Sequence, residues 1–147
     1  MNPQIPYNLE ESLGYVIGRA GRALANRLNQ NFEKAGHDVT CEQWAVLMNL
    51  VRKNGQSQTE LASISCKDKT SITRLLDGME KRKLVVRTSD KNDGRHKFIY
   101  LTNKGKGLQQ KLLKLVKKTL EEAQTGIDLQ KLAVCKDVLR QIAQNLS

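Results

Sequence analysis

Residues Leu84–Thr102 read LVVRTSDKNDGRHKFIYLT. LVVRT and KFIYLT are rich in β-branched and aromatic residues, and the Ser, Asp, Asn and Gly between them are turn formers, so the stretch predicts a β-hairpin. Arg95 stands at the tip with Asp93 two residues before it. A carboxylate so placed can orient the guanidinium through a charge-assisted bond, which reduces the side-chain entropy lost when the arginine meets an anion. Behind the tip, Phe98, Ile99, Tyr100 and Leu101 give the ribbon sides that can pack on helices.

On both sides of the hairpin the apolar spacing changes from two to three and four, the period of helices. Upstream, Leu9, Leu13, Val16, Ile17, Ala20, Leu24, Leu28 and Phe32 predict a long first helix starting near Leu9, with Gly36 as its C-terminal cap. VTCEQW then opens a helix with Thr40 and Gln43 as a capping box and Val39 and Trp44 as a hydrophobic staple; Asn54-Gly55 closes it. Ser57 and Glu60 form a second box ahead of a short helix through Leu61, Ala62 and Ile64. Asp68 is the predicted N-cap of the next helix, whose buried stripe is Ile72, Leu75, Leu76 and Met79. Beyond Thr102 a long helix runs through Leu108, Leu112, Leu115, Val116 and Leu120, breaks near TGID, and gives way to a last helix through Leu129, Leu132, Leu139, Ile142 and Leu146. Both prolines, Pro3 and Pro6, precede all of this.

The order short helix, helix, hairpin is the informative feature. In QTELASISCKDKTSITRLL, the small Ala62 lets two helices cross closely, Cys66 falls at the turn, and Ile72 and Leu75 lock the second helix from beneath. This spacing resembles a helix-turn-helix, whose second helix enters the DNA major groove. Its solvent-facing residues, Lys67, Lys69, Thr70, Ser71, Thr73 and Arg74, are cations and small hydroxyls suited to phosphates and base edges. A hairpin directly after such a helix is a wing, and its tip arginine suits the negative potential of the minor groove. Lys67 to Lys97 holds ten basic residues against five acidic ones, half of the chain's formal charge of +10. The competing readings are an ordinary amphipathic helix with a solvated face and a plain surface hairpin.

The composition agrees with a polyanion partner. The 147 residues suffice for one domain with its own core, and 25 basic against 15 acidic residues favour a ligand whose counterions Lys and Arg can release. Cys41, Cys66 and Cys135 are odd in number and have no His cluster, which predicts neither disulfides nor a metal site and fits a reducing cytoplasm. No export signal and no membrane span is expected from the sequence. His37 and His96 have no nucleophile or carboxylate at motif spacing, and there is no phosphate-binding glycine loop; no enzyme, catalytic residue or cofactor is expected.

DKNDGRHKFIYLTNKG resembles the wing signature of the MarR (multiple antibiotic resistance regulator) family of winged helix-turn-helix regulators, through Asp90, Asp93, Arg95, the strand to Tyr100, Leu101, Thr102 and Gly105. The resemblance covers almost the whole chain. It departs at Cys66, where the family pattern usually has Gly. It implies a mostly α fold with a small β-hairpin wing: one domain, 1–147, with a DNA-binding lobe over about 40–102 and dimerisation helices over about 9–36 and 103–147. It also implies a homodimer on a palindromic operator in a bacterial or archaeal cytoplasm, acting as a repressor released by a small, often phenolic, ligand. Asp93, Arg95 and Lys97 of the wing join the helix residues above as expected DNA contacts. Oxidation-sensing relatives carry a reactive cysteine in the first helix, and none precedes Cys41 here.

The resemblance also places an effector cleft between the dimer helices and the winged lobe, with Tyr15, Trp44 and Met48 as candidate walls, two flat rings and a deformable thioether. Trp44 as a staple partner of Val39 is the other reading of that residue. A basic architectural protein that coats nucleic acid without strong sequence preference is the alternative to a regulator, and the lysines of NKGKGLQQKLLKLVKK suit either a phosphate surface or a solvated face.

Overall fold

A computed structural model describes residues 7–65, 69–92, 94 and 96–147. Asn8 caps a short 3-10 turn, Leu9–Glu11, before helix α1, Leu13–Lys34. The expected start near Leu9 is thus moved to Leu13, because Ser12 donates its hydroxyl to the Leu9 carbonyl at 2.7 Å and accepts from the Tyr15 amide, closing one turn and capping the next. At the other end His37 N–H bonds the Phe32 carbonyl and Gly36 N–H the Glu33 carbonyl, both at 2.9 Å, with Gly36 at φ 83°, a left-handed stop that glycine adopts without strain.

Helix α2, Cys41–Arg52, starts at the Thr40–Gln43 box, both arms of which are formed. Its C-terminus is closed by a residue the sequence did not single out: Gln56, fully buried, donates its amide to the carbonyls of Asn49 and Lys53 at 2.7 and 2.8 Å. Strand β1, Gln56–Ser57, leads into helix α3, Gln58–Ser65, where Ser57 and Glu60 cap each other. A hydrogen bond from the Lys53 ammonium, followed by that of the Ser57 amide, holds the Glu60 carboxyl below its ordinary pKa. Helix α4, Lys69–Lys81, is followed by strands β2, Val85–Ser89, and β3, Lys97–Leu101. The predicted hairpin is therefore part of a three-stranded antiparallel sheet of order β1-β3-β2, with Gln56 opposite Ile99 and Val85 opposite Leu101. The added strand is only two residues long, too short for alternation to announce it.

Thr102 caps helix α5, Asn103–Ala123, and Asp128 caps helix α6, Leu129–Leu146, after a turn at Gly126. One hydrophobic core gathers Phe32, Leu47, Leu50, Leu61, Ile72, Leu76, Met79, Leu84, Ile99 and Leu112 from α1 through α5 and the sheet. Helix α5 is joined to α1 by Asn31 Nδ2 donating to Thr119 Oγ1 at 2.7 Å and by an Arg27–Glu122 ion pair. Helix α6 buries no residue: Leu129, Val134, Val138, Leu139 and Leu146 are exposed, as are Leu13, Val16 and Ile17 on α1. No helix among the described residues is long and apolar enough to cross a membrane.

Candidate nucleic-acid interface

Helix α4 lies on the core by one face and is open on the other. Ile72, Leu76 and Met79 are fully buried, and Leu61 and Ala62 of α3 are buried as well. Thr70, Ser71 and Arg74 are exposed, as the sequence predicts. Thr73 differs from that expectation: it is half-buried and its Oγ1 accepts a 2.6 Å bond from Gln58 Nε2, because the packing of α3 on α4 brings the first turn of α3 over that edge. Cys66, Lys67 and the Asp68 cap lie outside the described residues, as does the side chain of Lys69.

The wing is a regular ribbon. Pairing runs from Val85–Leu101 to Ser89–Lys97 and one bond further, Asp90 N–H to the His96 carbonyl at 2.8 Å. Asn92 N–H then donates to Asp90 Oδ1 at 2.9 Å, the Asx turn that Asp and Asn favour. Lys97 opens β3 and is exposed; Asp93 and Arg95 lie outside the described residues.

Arg87, not singled out in the sequence, ties the wing to α4. It follows Val85 by two residues, on the inward face of β2, with its side chain only 11% exposed. Its guanidinium pairs with Asp77, reaches the Thr73 carbonyl at 3.5 Å and has Glu80 at 3.9 Å, three positions along one face of α4. An arginine at an inward strand position after a helix offering Asp77 and Glu80 three residues apart was the available signal, and it needed the strand-to-helix docking to be read.

The effector candidates lie on α1 and α2. Tyr15 is half-buried in the first turn of α1, while Trp44 and Met48 lie one turn apart on α2. Val39 is buried and Trp44 packs against the core, as a staple requires, yet the indole Nε1 is buried with no hydrogen-bond partner. The Met48 sulfur accepts from Gln109 Nε2 of α5 at 2.8 Å. No group of three or more His, Cys, Asp or Glu able to hold a metal occurs among the described residues.

Residues 39–97, the span of α2 to the wing, match the model of the MarR family. That span is a MarR-family domain. The HTH-type transcriptional regulator FarR of Neisseria gonorrhoeae is 27% identical over 133 residues, 90% of either chain. The structure of CouR from Rhodococcus jostii RHA1 bound to p-coumaroyl-CoA is 25% identical, with a TM-score of 0.81 over 94% of this chain and 96% of that one. That of the transcriptional repressor CouR bound to a 23-mer DNA duplex is 27% identical, with a TM-score of 0.82 over 92% and 94%.

The MarR wing signature has a physical account here. Thr102 Oγ1 donates to the Lys83 carbonyl at 2.6 Å and accepts from Gly105 N–H at 3.0 Å, fastening the start of α5 to the turn that leaves α4. A Cβ on Gly105 would lie 2.2 Å from the Leu84 carbonyl oxygen, so only glycine permits this approach. The Leu-Thr-Gly part of the MarR signature thus fixes the root from which the wing projects.

Proposed function

We propose that this MarR-family regulator is a homodimer that reads a palindromic operator, each subunit placing α4 in the major groove and the wing tip in the adjacent minor groove. The observation that carries the reading is a contrast between two surfaces. Helix α4 and β3 present Thr70, Ser71, Arg74 and Lys97 to solvent, whereas α6 spends eighteen residues without burying one. A cleft of about 620 Å³ among Ala20, Ala23, Leu24, Leu120, Leu132 and Leu139 adds to the uncovered apolar surface of α1, α5 and α6, and a second copy of the chain would cover it. In this reading residues 9–36 and 103–147 form the dimer and 40–102 the DNA-binding lobe. Lys67, Lys69, Asp93 and Arg95 join the exposed contacts on the strength of the family pattern, and Thr73 contributes through its backbone neighbours more than through its occupied hydroxyl.

The regulator is released, in the same proposal, by a small aromatic ligand between the dimer helices and the lobe. The buried indole N–H of Trp44 supports this, since a buried donor without an acceptor is costly and a ligand carboxylate or phenolate would satisfy it. That CouR was solved with an aromatic acyl thioester agrees. The basic architectural alternative draws on α5, whose exposed face carries Lys104, Lys106, Lys111, Lys114, Lys117 and Lys118 without an acid between Asn103 and Leu120. Binding of the full chain to a duplex that it selects from a random pool, against the same duplex scrambled at matched salt, decides: a regulator separates the two by roughly a thousandfold or more, a coating protein does not separate them.

A further inference from the structure

Between helix α4 and the wing lies a cleft of about 360 Å³. Ser57 lines it from β1, Gln58 and Thr59 from the first turn of α3, Thr73 from α4, Arg87 from β2, and Lys97 from the start of β3, with His96 just before it. Among the described residues this lining holds an arginine, a lysine, a histidine, hydroxyls and an amide, and no carboxylate. Asp77 and Glu80, which hold Arg87, are not part of it. The arginine is therefore pre-oriented. Its Nε is buried without a hydrogen-bond partner, Glu80 at 3.9 Å being too distant to accept from it. The cations and donors of this lining together call for an anion with several acceptor oxygens.

The geometry of a duplex supplies one. Neighbouring major and minor grooves are divided by a single sugar-phosphate backbone, so a protein that puts a helix in one and a wing tip in the other must pass that backbone between the two elements. We infer that the cleft is a seat for one DNA backbone phosphate, held by Lys97 and Arg87 with the exposed Thr59 hydroxyl as a neutral donor. The inference rests on the DNA-binding reading above and adds to it the group that docks and the residues that hold it. A seat of this kind carries no sequence information; it fixes the depth of α4 and the reach of the wing together.

The test uses the full chain and a duplex selected by it from a random pool, with each phosphate replaced in turn by an uncharged methylphosphonate. One position in each half-site should cost the parent protein roughly tenfold or more in affinity. In Lys97→Gln combined with Thr59→Ala, that same position should cost less than about twofold, and the salt slope of the unmodified duplex should fall by about one unit. Both side chains are exposed, so the melting temperature should stay at the parent's value; if it falls, Thr59→Ala alone carries the comparison, with the same position expected to lose part of its penalty. Equal penalties at every position in parent and variant overturn the seat and leave the DNA reading standing. A parent that selects no duplex overturns the DNA reading and the seat with it.

Discussion

Lys83 and Gly105 meet at the root of the wing and invite opposite substitutions. Lys83 has φ 60°, a left-handed conformation in which a Cβ is strained, yet its N–H bonds the Glu80 carbonyl and Leu84 N–H bonds Met79, the bond pattern that usually ends in glycine. Lys83→Gly should raise stability by about 0.5–1 kcal/mol, read as a higher denaturant midpoint with unchanged slope. Gly105→Ala should lower it by about 1–3 kcal/mol or more, since the added methyl meets backbone, not a side chain that can swing away. If Gly105→Ala melts with the parent, the close approach to Leu84 is not a constraint. Arg95→Ala, by contrast, should leave the midpoint alone and weaken binding to the selected duplex by about 1–3 kcal/mol. Equal affinity at matched salt would remove Arg95 from the interface.

Between elements, the angle of the wing to α4 depends on one cation held by two acids. Asp77 is more than half exposed, so Asp77→Asn should cost less than about 1 kcal/mol of stability. It should cost more in DNA affinity than in stability, because a wing free to rock against α4 no longer arrives in register with the adjacent groove. An affinity loss no larger than the stability loss would show Arg87 to be a packing residue only. The start of α3 gives a pH dependence. The folded pKa of Glu60 lies below its ordinary value, so its contribution is present at neutral pH and is lost as pH falls through that lowered value. Glu60→Gln should therefore be less stable than the parent at neutral pH and should converge with it in acid, as followed by thermal melting.

The proposed dimer would have properties that one chain lacks. Deleting the residues before Ser12 together with those after Gly126 should give monomers that bind the selected duplex weakly, because two half-sites one helical turn apart need two lobes on a two-fold axis. Light scattering reads the mass and a titration the affinity; a monomer that binds as tightly as the parent refutes the proposed assembly. A ligand against Trp44 can change DNA affinity only by its own preference between the two lobe separations, typically about 1–3 kcal/mol, or roughly 5- to 150-fold. A phenolic acid should quench Trp44 emission saturably and release DNA over the same concentration range. A broad panel of aromatic acids that leaves both signals unchanged would return Trp44 to a purely structural role.

Local signals are legible in the order of the residues alone. The Thr40–Gln43 and Ser57–Glu60 boxes, the Gly36 stop, the apolar periodicity of α1, α4 and α5, and the paired strands around Asp90–Gly94 involve residues a few positions apart, where side-chain chemistry acts on its own backbone. Those signals, with the wing signature, determined the winged helix-turn-helix. What the sequence could not decide is what remote segments do to one another. Strand β1 exists because Gln56 meets Ile99, the Thr73 hydroxyl is occupied because α3 crosses α4, and Arg87 becomes a latch because β2 docks beside Asp77. The glycine at position 105 is explained by the Leu84 carbonyl that lies against it, and the cleft between α4 and the wing has walls from five elements. Periodicity tells a side chain which face of its own element it is on; only the packed chain tells it what lies across that face.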